Sequence, residues 1–248
     1  MTPAFQPLVV IPVFDHEHAI GDVVARVRRH GVDCLLVDDG SSPACASVLD
    51  QLATQPGVSL LRLPVNQGKG GAVIAGLREA ARRGHSHALQ IDADGQHDAD
   101  DVPRFLEQAR AHPEAVINGR PIFDASVPKA RLYGRYATHV WVWINTLSFE
   151  IIDSMCGFRV YPLAPTLALL DRVRIGRRMD FDTEILVRLY WDGLRVRNLD
   201  TRVRYPADGV SHFQVWRDNV LITAMHTRLF FGMLGRLPRL LARKVARR

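Results

Sequence analysis

Two aspartates one residue apart, Asp92 and Asp94, follow a short apolar run, and Gln96 stands two residues further on. Carboxylate and amide oxygens are hard ligands. Two carboxylates at a strand end can grip one divalent cation such as Mg2+ or Mn2+, with Gln96 adding an amide oxygen. The triplet alone is weak evidence. With 20 aspartates in 248 positions, about 1.6 Asp-x-Asp triplets arise by chance, and three occur, at Asp92/Asp94, Asp98/Asp100 and Asp180/Asp182. The first stands apart because a buried strand leads directly into it, although a solvated acidic turn would read the same way.

Other chemistries find less support. Gly68-Lys69-Gly70-Gly71 has the look of a phosphate loop, yet glycine follows Lys69 where Ser or Thr is required. No GxGxxG follows the first strand either. A P-loop NTPase and a dinucleotide dehydrogenase are thereby disfavoured, and close backbone approach ahead of a helix explains these glycines by itself. No GxSxG occurs, and no cysteine has a histidine neighbour in sequence. Among ten histidines, His16/His18 and His85/His87 lack the spacing of a metal site, and His97 and His212 stand out only through their neighbours.

These groups need a scaffold. Residues 8–13, 34–37, 58–63, 88–91 and 115–118 read as short apolar strands, and residues 20–29, 48–53, 71–83 and 102–111 as helices between them. Such alternation predicts an α/β fold with a mainly parallel sheet covered on both faces. Ligands of these sheets gather at the carboxyl ends of the strands. Asp38-Asp39, after the second strand, and Asp92/Asp94, after the fourth, should therefore share one rim. The second half is less regular. Helices are expected over 131–147 and 181–191, the latter opening with Asp182 and Glu184, and strands over 196–199 and 202–205 before a turn at 206–209.

With 47% hydrophobic and 23% charged residues, the chain has the composition of a folded globular protein, not of a disordered one. Three scattered cysteines, Cys34, Cys45 and Cys156, favour neither a disulfide framework nor a zinc site. No signal-peptide pattern and no membrane-spanning run is visible, so a cytoplasmic location is expected. The net charge of +6 is unevenly placed: residues 217–248 carry +7, leaving the first 216 at −1. A basic tail is a handle for an anionic surface, a membrane or a nucleic acid.

Taken in order, the motifs resemble a known family. Val10-Ile11-Pro12-Val13-Phe14-Asp15, Leu36-Val37-Asp38-Asp39-Gly40-Ser41-Ser42, Asn66-Gln67-Gly68-Lys69-Gly70 and Gln90-Ile91-Asp92-Ala93-Asp94-Gly95-Gln96-His97 are similar to the family 2 glycosyltransferases. Asn118-Gly119-Arg120, Asp153-Ser154-Met155-Cys156-Gly157-Phe158-Arg159 and Phe181-Asp182-Thr183-Glu184 extend the likeness to the polyprenyl- or dolichyl-phosphate mannose/glucose synthase branch, over roughly residues 8–213. The resemblance implies a GT-A fold with a Rossmann-like nucleotide half and an acceptor half. It implies an inverting, metal-dependent transfer of a hexose from a UDP- or GDP-sugar. Pro12, Asp15 and Asp39 would meet the nucleoside, with Lys69 and Asp92 beside the nucleotide sugar. Asp92, Asp94 and Gln96 would hold Mg2+ or Mn2+, and Asp182 would serve as catalytic base. Phe14-Asp15 stands where Tyr-Asn is common, and Phe181 where a Glu usually precedes the aspartate.

Arg204 and His212, flanking a glycine-containing loop, are candidates to close over the diphosphate. A lipid phosphate acceptor is already ionised and needs cations to position it, for which Arg120, Arg131 and Arg135 are candidates. A hydroxyl acceptor needs Asp182 as base, and otherwise Asp182 would only cap its helix. Two other classes fit the residues less well. A sugar nucleotidyltransferase would show a Gly-rich loop where Pro12-Val13-Phe14-Asp15 stands, and an inactive nucleotide-sugar-binding protein would not keep Asp39, Asp92, Asp94 and Asp182. Nucleic acid is not an expected partner, because no basic stripe precedes the tail. The expected organisation is a glycosyltransferase domain over 1–216 and an amphipathic basic segment over 217–248. Pro238 should end a helix in that segment, and the segment should associate with the anionic inner face of the cell membrane near a lipid-linked acceptor.

Overall fold

The computed structural model describes residues 4–123, 127, 129–204 and 215–246. Its centre is β1 (Pro7–Val13), buried from Leu8 onward and flanked by β2 (Cys34–Asp38) and β4 (His87–Gln90), with β3 (Val58–Arg62) on the outer side of β2. β6 (Arg159–Pro162), β5 (Val116–Phe123) and β7 (Val196–Val203) complete a seven-stranded sheet of order β3-β2-β1-β4-β6-β5-β7. All pairings are parallel except those of β6, which runs antiparallel to both neighbours.

The period of two along a strand sorts the core into two layers. Leu8, Val10, Leu35 and Val37 pack beneath α3 (Lys69–Arg82), α6 (Leu163–Arg172) and α7 (Phe181–Asp192). Val9, Ile11, Val13 and Leu36 face α1 (Ile20–Arg29), α2 (Pro43–Leu52) and α4 (Val102–Ala111). Cys34, Cys45 and Cys156 are buried and free of disulfides.

The second half departs from the sequence reading in three places. β6 and α6 were not expected: Arg159-Val160-Tyr161-Pro162 is short and begins with a charge, so it carries no apolar signature. The two strands expected over 196–205 are one, because β7 stays in register with β5 from Val196 opposite Val116 to Val203 opposite Phe123. Pro238 begins a helix instead of ending one. α8 (Val215–Leu234) stops first, and Pro238 occupies the first turn of α9 (Leu237–Ala246), where no intrahelical N–H is needed.

The C-terminal helices lie on the same core. Met225, Leu229, Met233 and Leu240 belong to the apolar cluster of α3 and α7, and α8 also packs on α5 (Lys129–Thr146). Arg243 donates to the Tyr190 and Trp191 carbonyls, among the last of α7, and Arg236 stacks on the Trp191 ring at 4.7 Å. Among the described residues, no helix is long and apolar enough to cross a membrane.

Candidate active site

Strand order reverses between β1 and β4, and a crevice opens at such a switch point beyond the carboxyl ends of the strands. Pairing of β4 with β1 ends at Val10 opposite Gln90. By alternation Pro12 turns its main chain to the same side as Val10, past the last rung, so its missing N–H breaks no ladder. Asp15 follows at φ 52°. Its carboxylate accepts from Ser42 N at 2.7 Å, and its own N–H donates to Ser41 Oγ at 3.3 Å, which ties the loops after β1 and β2 together.

Asp39 is buried, and its two oxygens accept from Gln67 N at 2.7 Å and Gly68 N at 2.9 Å. Burial pushes its pKa up, against the pull of these two amides. The carboxylate thus pins the turn that starts α3. Gly68 caps that helix at φ +85°, where a Cβ would lie 2.6 Å from the Arg177 carbonyl oxygen. The positive end of α3 and its first residue, Lys69, are thereby aimed at the rim.

Lys69 joins the two carboxylates of greatest chemical interest. Its Nζ lies 2.8 Å from Asp92 Oδ2 and 2.9 Å from Asp182 Oδ2. Burial alone would raise the Asp92 pKa, but Lys69 and His97 (Nε2 at 3.6 Å) outweigh it and hold the carboxyl well below its usual range. Burial would likewise lower the Lys69 pKa, and Asp182 and Asp92 hold it well above the ordinary value. Asp92 Oδ1 is buried and has no partner. Gly157 leaves it room, since a Cβ there would stand 2.5 Å from Oδ1 and 2.2 Å from Oδ2.

Asp94 and Gln96 are partly exposed on the same loop, and Asp94 Oδ1 accepts from Gln96 N at 3.0 Å. The loop is fastened to the end of β7, where Arg204 N donates to the Gln96 carbonyl at 3.0 Å and Asp98 N to that of Arg202 at 3.3 Å. Arg204 therefore stands beside the Asp92–Gln96 loop with its side chain exposed, whereas His212 lies outside the described residues. Asp92 Oδ1, the Asp94 carboxylate and the Gln96 amide oxygen are candidate donors on one loop, and an all-oxygen set of this kind would suit a hard divalent cation. Asp15, Glu17 and Cys45 also bring ligand atoms together, but burial raises the Cys45 thiol pKa, and sulfur is a poor match for such an ion.

Asp182 occupies the first turn of α7 but does not cap it. Gln90 Nε2 donates to its Oδ1 at 3.1 Å, and Tyr161 OH in turn donates to Gln90 Oε1 at 3.0 Å. Behind them Arg159 is fully buried, and each of its five N–H groups has a neutral acceptor. Nε donates to Asn118 Oδ1 (2.8 Å), Nη1 to Tyr161 OH (3.2 Å) and the Asp182 carbonyl (2.9 Å), and Nη2 to the Ser154 (3.1 Å) and Cys156 (3.3 Å) carbonyls. This hub fixes the loop carrying Gly157 relative to α7. Neither Arg159 nor Gln90 nor Gly157 stood out as a site residue in sequence.

The arginines expected on the acceptor side are placed differently. Arg120 pairs with Asp200, its rung partner on β7, at 2.7 Å and in an exposed position. Arg135 grips Asp153, with Nη2 to Oδ1 at 2.8 Å, and His139 approaches the same carboxylate at 3.4 Å. Burial would raise the Asp153 pKa, but His139 and Arg135 hold it well below its usual range. Arg131's side chain lies outside the described residues. Neither Arg120 nor Arg135 pairs with the Lys69 cluster. The cations that do border the Asp39 turn are Arg177, whose Nη1 donates to Gln67 Oε1 at 3.2 Å, and Arg178, whose charge acts on Asp39. Their only signal in sequence was the basic run at residues 174–178.

The chain is similar to known proteins. The undecaprenyl-phosphate mannosyltransferase of Micrococcus luteus is 31% identical over 170 residues, which is 66% of this chain and 69% of that one. The polyprenol monophosphomannose synthase of Mycolicibacterium smegmatis is 30% identical over 166 residues, covering 64% of this chain and 62% of its own. Glucosyl-3-phosphoglycerate synthase from Mycobacterium tuberculosis, solved with Mn2+ and UDP-glucose, superposes with a TM-score of 0.65 at 16% identity, over 94% of this chain and 79% of that one, and so shares the GT-A fold. The sequence profile described as glycosyl transferase family 2 matches residues 8–173, and the chain accordingly belongs to that family as a glycosyltransferase of GT-A fold.

Proposed function

We propose that the enzyme transfers a hexose from a UDP- or GDP-sugar to the phosphate of a polyprenyl lipid, with inversion at the anomeric carbon, as a peripheral protein of the cytoplasmic membrane face. The observation that carries this is Lys69, one ammonium shared between Asp92 on the donor side and Asp182 on the acceptor side. Pro12, Asp15 and the turn pinned by Asp39 form the nucleoside end, and Arg204, beside the Asp92–Gln96 loop, is a candidate to meet the diphosphate. Asp92, Asp94 and Gln96 would hold Mg2+ or Mn2+, which when bound neutralises charge on the leaving diphosphate.

An oxygen of the acceptor phosphate attacks the anomeric carbon while the bond to the nucleoside diphosphate breaks, and the electron pair leaves with the diphosphate. The attacking phosphate is already ionised, so no proton has to be removed. That suits Asp182, whose oxygens are engaged by Gln90 and Lys69. Its part is to hold Lys69 and the acceptor pocket in place. The activities named for the two bacterial relatives, both on polyprenyl carriers, support the acceptor class.

The test is a donor screen with UDP- and GDP-hexoses, Mg2+ or Mn2+, and a short polyprenyl phosphate, read by mass spectrometry of the lipid. A glycosyl phospholipid formed in step with nucleoside diphosphate release is expected. Release only with a hydroxyl acceptor would overturn the acceptor assignment. In that case Asp182→Asn should abolish kcat, where a phosphate acceptor predicts a mainly acceptor-KM effect.

A further inference from the structure

α8 is apolar on both sides. Its inner face, Met225, Leu229 and Met233, is in the core. Its outer face places Trp216 (84% exposed), Val220, Phe231 (66%) and Leu234 in one stripe at helical spacing, with Thr223, Ala224 and Thr227 between them. The Arg228 side chain turns away to Glu184, at 3.2 Å. A helix apolar all round is ordinarily buried all round. Here one side is left in water.

The neighbouring α5 repeats the pattern. Leu132, Tyr133 (75% exposed), Tyr136, Val140, Trp141 and Ile144 face outward, and no charged residue from 132 to 144 is exposed. The Arg135 charge in that span is committed to Asp153. The stripes meet at Trp141, whose ring lies edge-on to Phe230 at 6.3 Å and stacks on His226 at 6.0 Å. Elsewhere the outer helix faces are ordinary: α4 presents Arg104, Glu107 and Arg110. The uncharged band is a local property of α5 and α8, of the kind that marks an interaction surface.

We infer that this α5–α8 band docks on the surface of an anionic lipid bilayer. Its composition favours lipid over protein or nucleic acid, because Tyr and Trp with aliphatic neighbours are the side chains of a headgroup–acyl boundary. The charges around it agree. Arg217, near the start of α8, and Arg239, on α9, are exposed and have no ion pair among the described residues, and the chain from 217 onward carries +7. Cations at the ends of an uncharged stripe match anionic headgroups around an apolar footprint. The sequence pattern suggested that the periodic apolar positions of the tail would meet the membrane. Met225, Leu229, Met233 and Leu240 are instead spent on the core, and the opposite face takes that part.

Docked this way, α5 brings the bilayer beside the site, since Arg135 holds Asp153 in the loop that Arg159 anchors behind Asp182. That link to a lipid-borne acceptor rests on the function proposed above, whereas the docking does not. The experiment is co-sedimentation of the full chain with phosphatidylcholine vesicles containing phosphatidylglycerol, together with transfer to a short, water-soluble polyprenyl phosphate. Wild type should bind the vesicles at low salt. Tyr133→Glu with Phe231→Glu should weaken partitioning by about tenfold or more, and Arg239→Gln by about fivefold. Melting temperature and transfer to the short acceptor should stay unchanged in these variants. Equal sedimentation of the double variant would overturn the inference. So would a wild type that ignores vesicles and sediments as a dimer broken by the same substitutions. Transfer without vesicle binding removes the docking surface and the peripheral location but leaves the proposed reaction, and vesicle binding without transfer does the reverse.

Discussion

On the β1–β4 side of the rim, carboxylates receive main-chain N–H groups: Asp15 from Ser42, Asp38 from Ser41, and Asp39 from Gln67 and Gly68. On the β5–β7 side Asp153 likewise receives the Met155 and Cys156 N–H groups, but the centre is a cation. A buried guanidinium, Arg159, gives its protons to three carbonyls, an amide oxygen and a phenol. The two devices leave different traces. Turns that point several N–H groups at one carboxylate need Gly, Ser and Asp at set positions. Carbonyls that receive an arginine can belong to any residue. The β1–β4 side is therefore written in recognisable turn motifs, and the β5–β7 side in contacts that residue type does not announce.

The contrast can be broken most forcefully at its second member. Arg159→Met removes five buried hydrogen bonds and should cost roughly 3–5 kcal/mol of stability, measured by denaturant unfolding. A loss below about 1 kcal/mol would mean that the hub does not organise this half. Asp94→Ala acts on the other side, on a partly exposed carboxylate. It should leave the melting temperature nearly unchanged while lowering kcat about 100- to 1,000-fold, and EDTA should mimic it in the wild type. Full activity of either would remove the metal assignment.

His226, on α8, sharpens the comparison, because it is buried with neither ring nitrogen hydrogen-bonded. Burial lowers its pKa from 6.5 to about 4. Between those values the unfolded chain binds a proton that the folded one refuses, so stability falls as pH drops through that window and levels off below it. The loss is on the order of 3 kcal/mol, and His226→Phe should flatten that limb of a stability–pH curve. The smallest effect is expected at Arg120. Its exposed pair with Asp200 is screened by solvent, so Arg120→Gln should change stability by less than about 0.5 kcal/mol. A large fall in acceptor affinity with that variant would show that Arg120 leaves Asp200 to meet the acceptor phosphate.

The same contrast explains what the sequence disclosed. Strands β1 to β4 and the rim shared by Asp39 and Asp92 were legible because runs buried on both faces, such as Leu8–Val13, are apolar without interruption and end abruptly in acids. β6 was hidden because half of its four residues are Arg159 and Pro162. β7 was split in two because Asp200 and Thr201 interrupt its pattern while its register with β5 continues. Asp182 was found through its motif, but its union with Lys69 was invisible, since 113 residues separate a helix start from a helix start. Tail periodicity located α8 but placed no helix after Pro238, and it offered no means of telling which of two apolar faces of α8 turns inward.

The antiparallel insertion of β6 between β4 and β5 also bears on the order of assembly during synthesis. β4 is complete at Gln90, but its outer edge has no partner until Arg159–Pro162 exists, and β5 waits longer still for Val196–Val203. A nascent chain of about 110 residues therefore holds a nearly finished four-stranded sheet with one open, fully buried-type edge, the kind of surface that recruits other strands. Closing that edge requires contacts about 70–80 residues apart, which places it among the slow steps of folding. Chaperone dependence should consequently be set by the interval between β4 and β6, and a circular permutant beginning just before β6 would shorten the time for which the edge stands open.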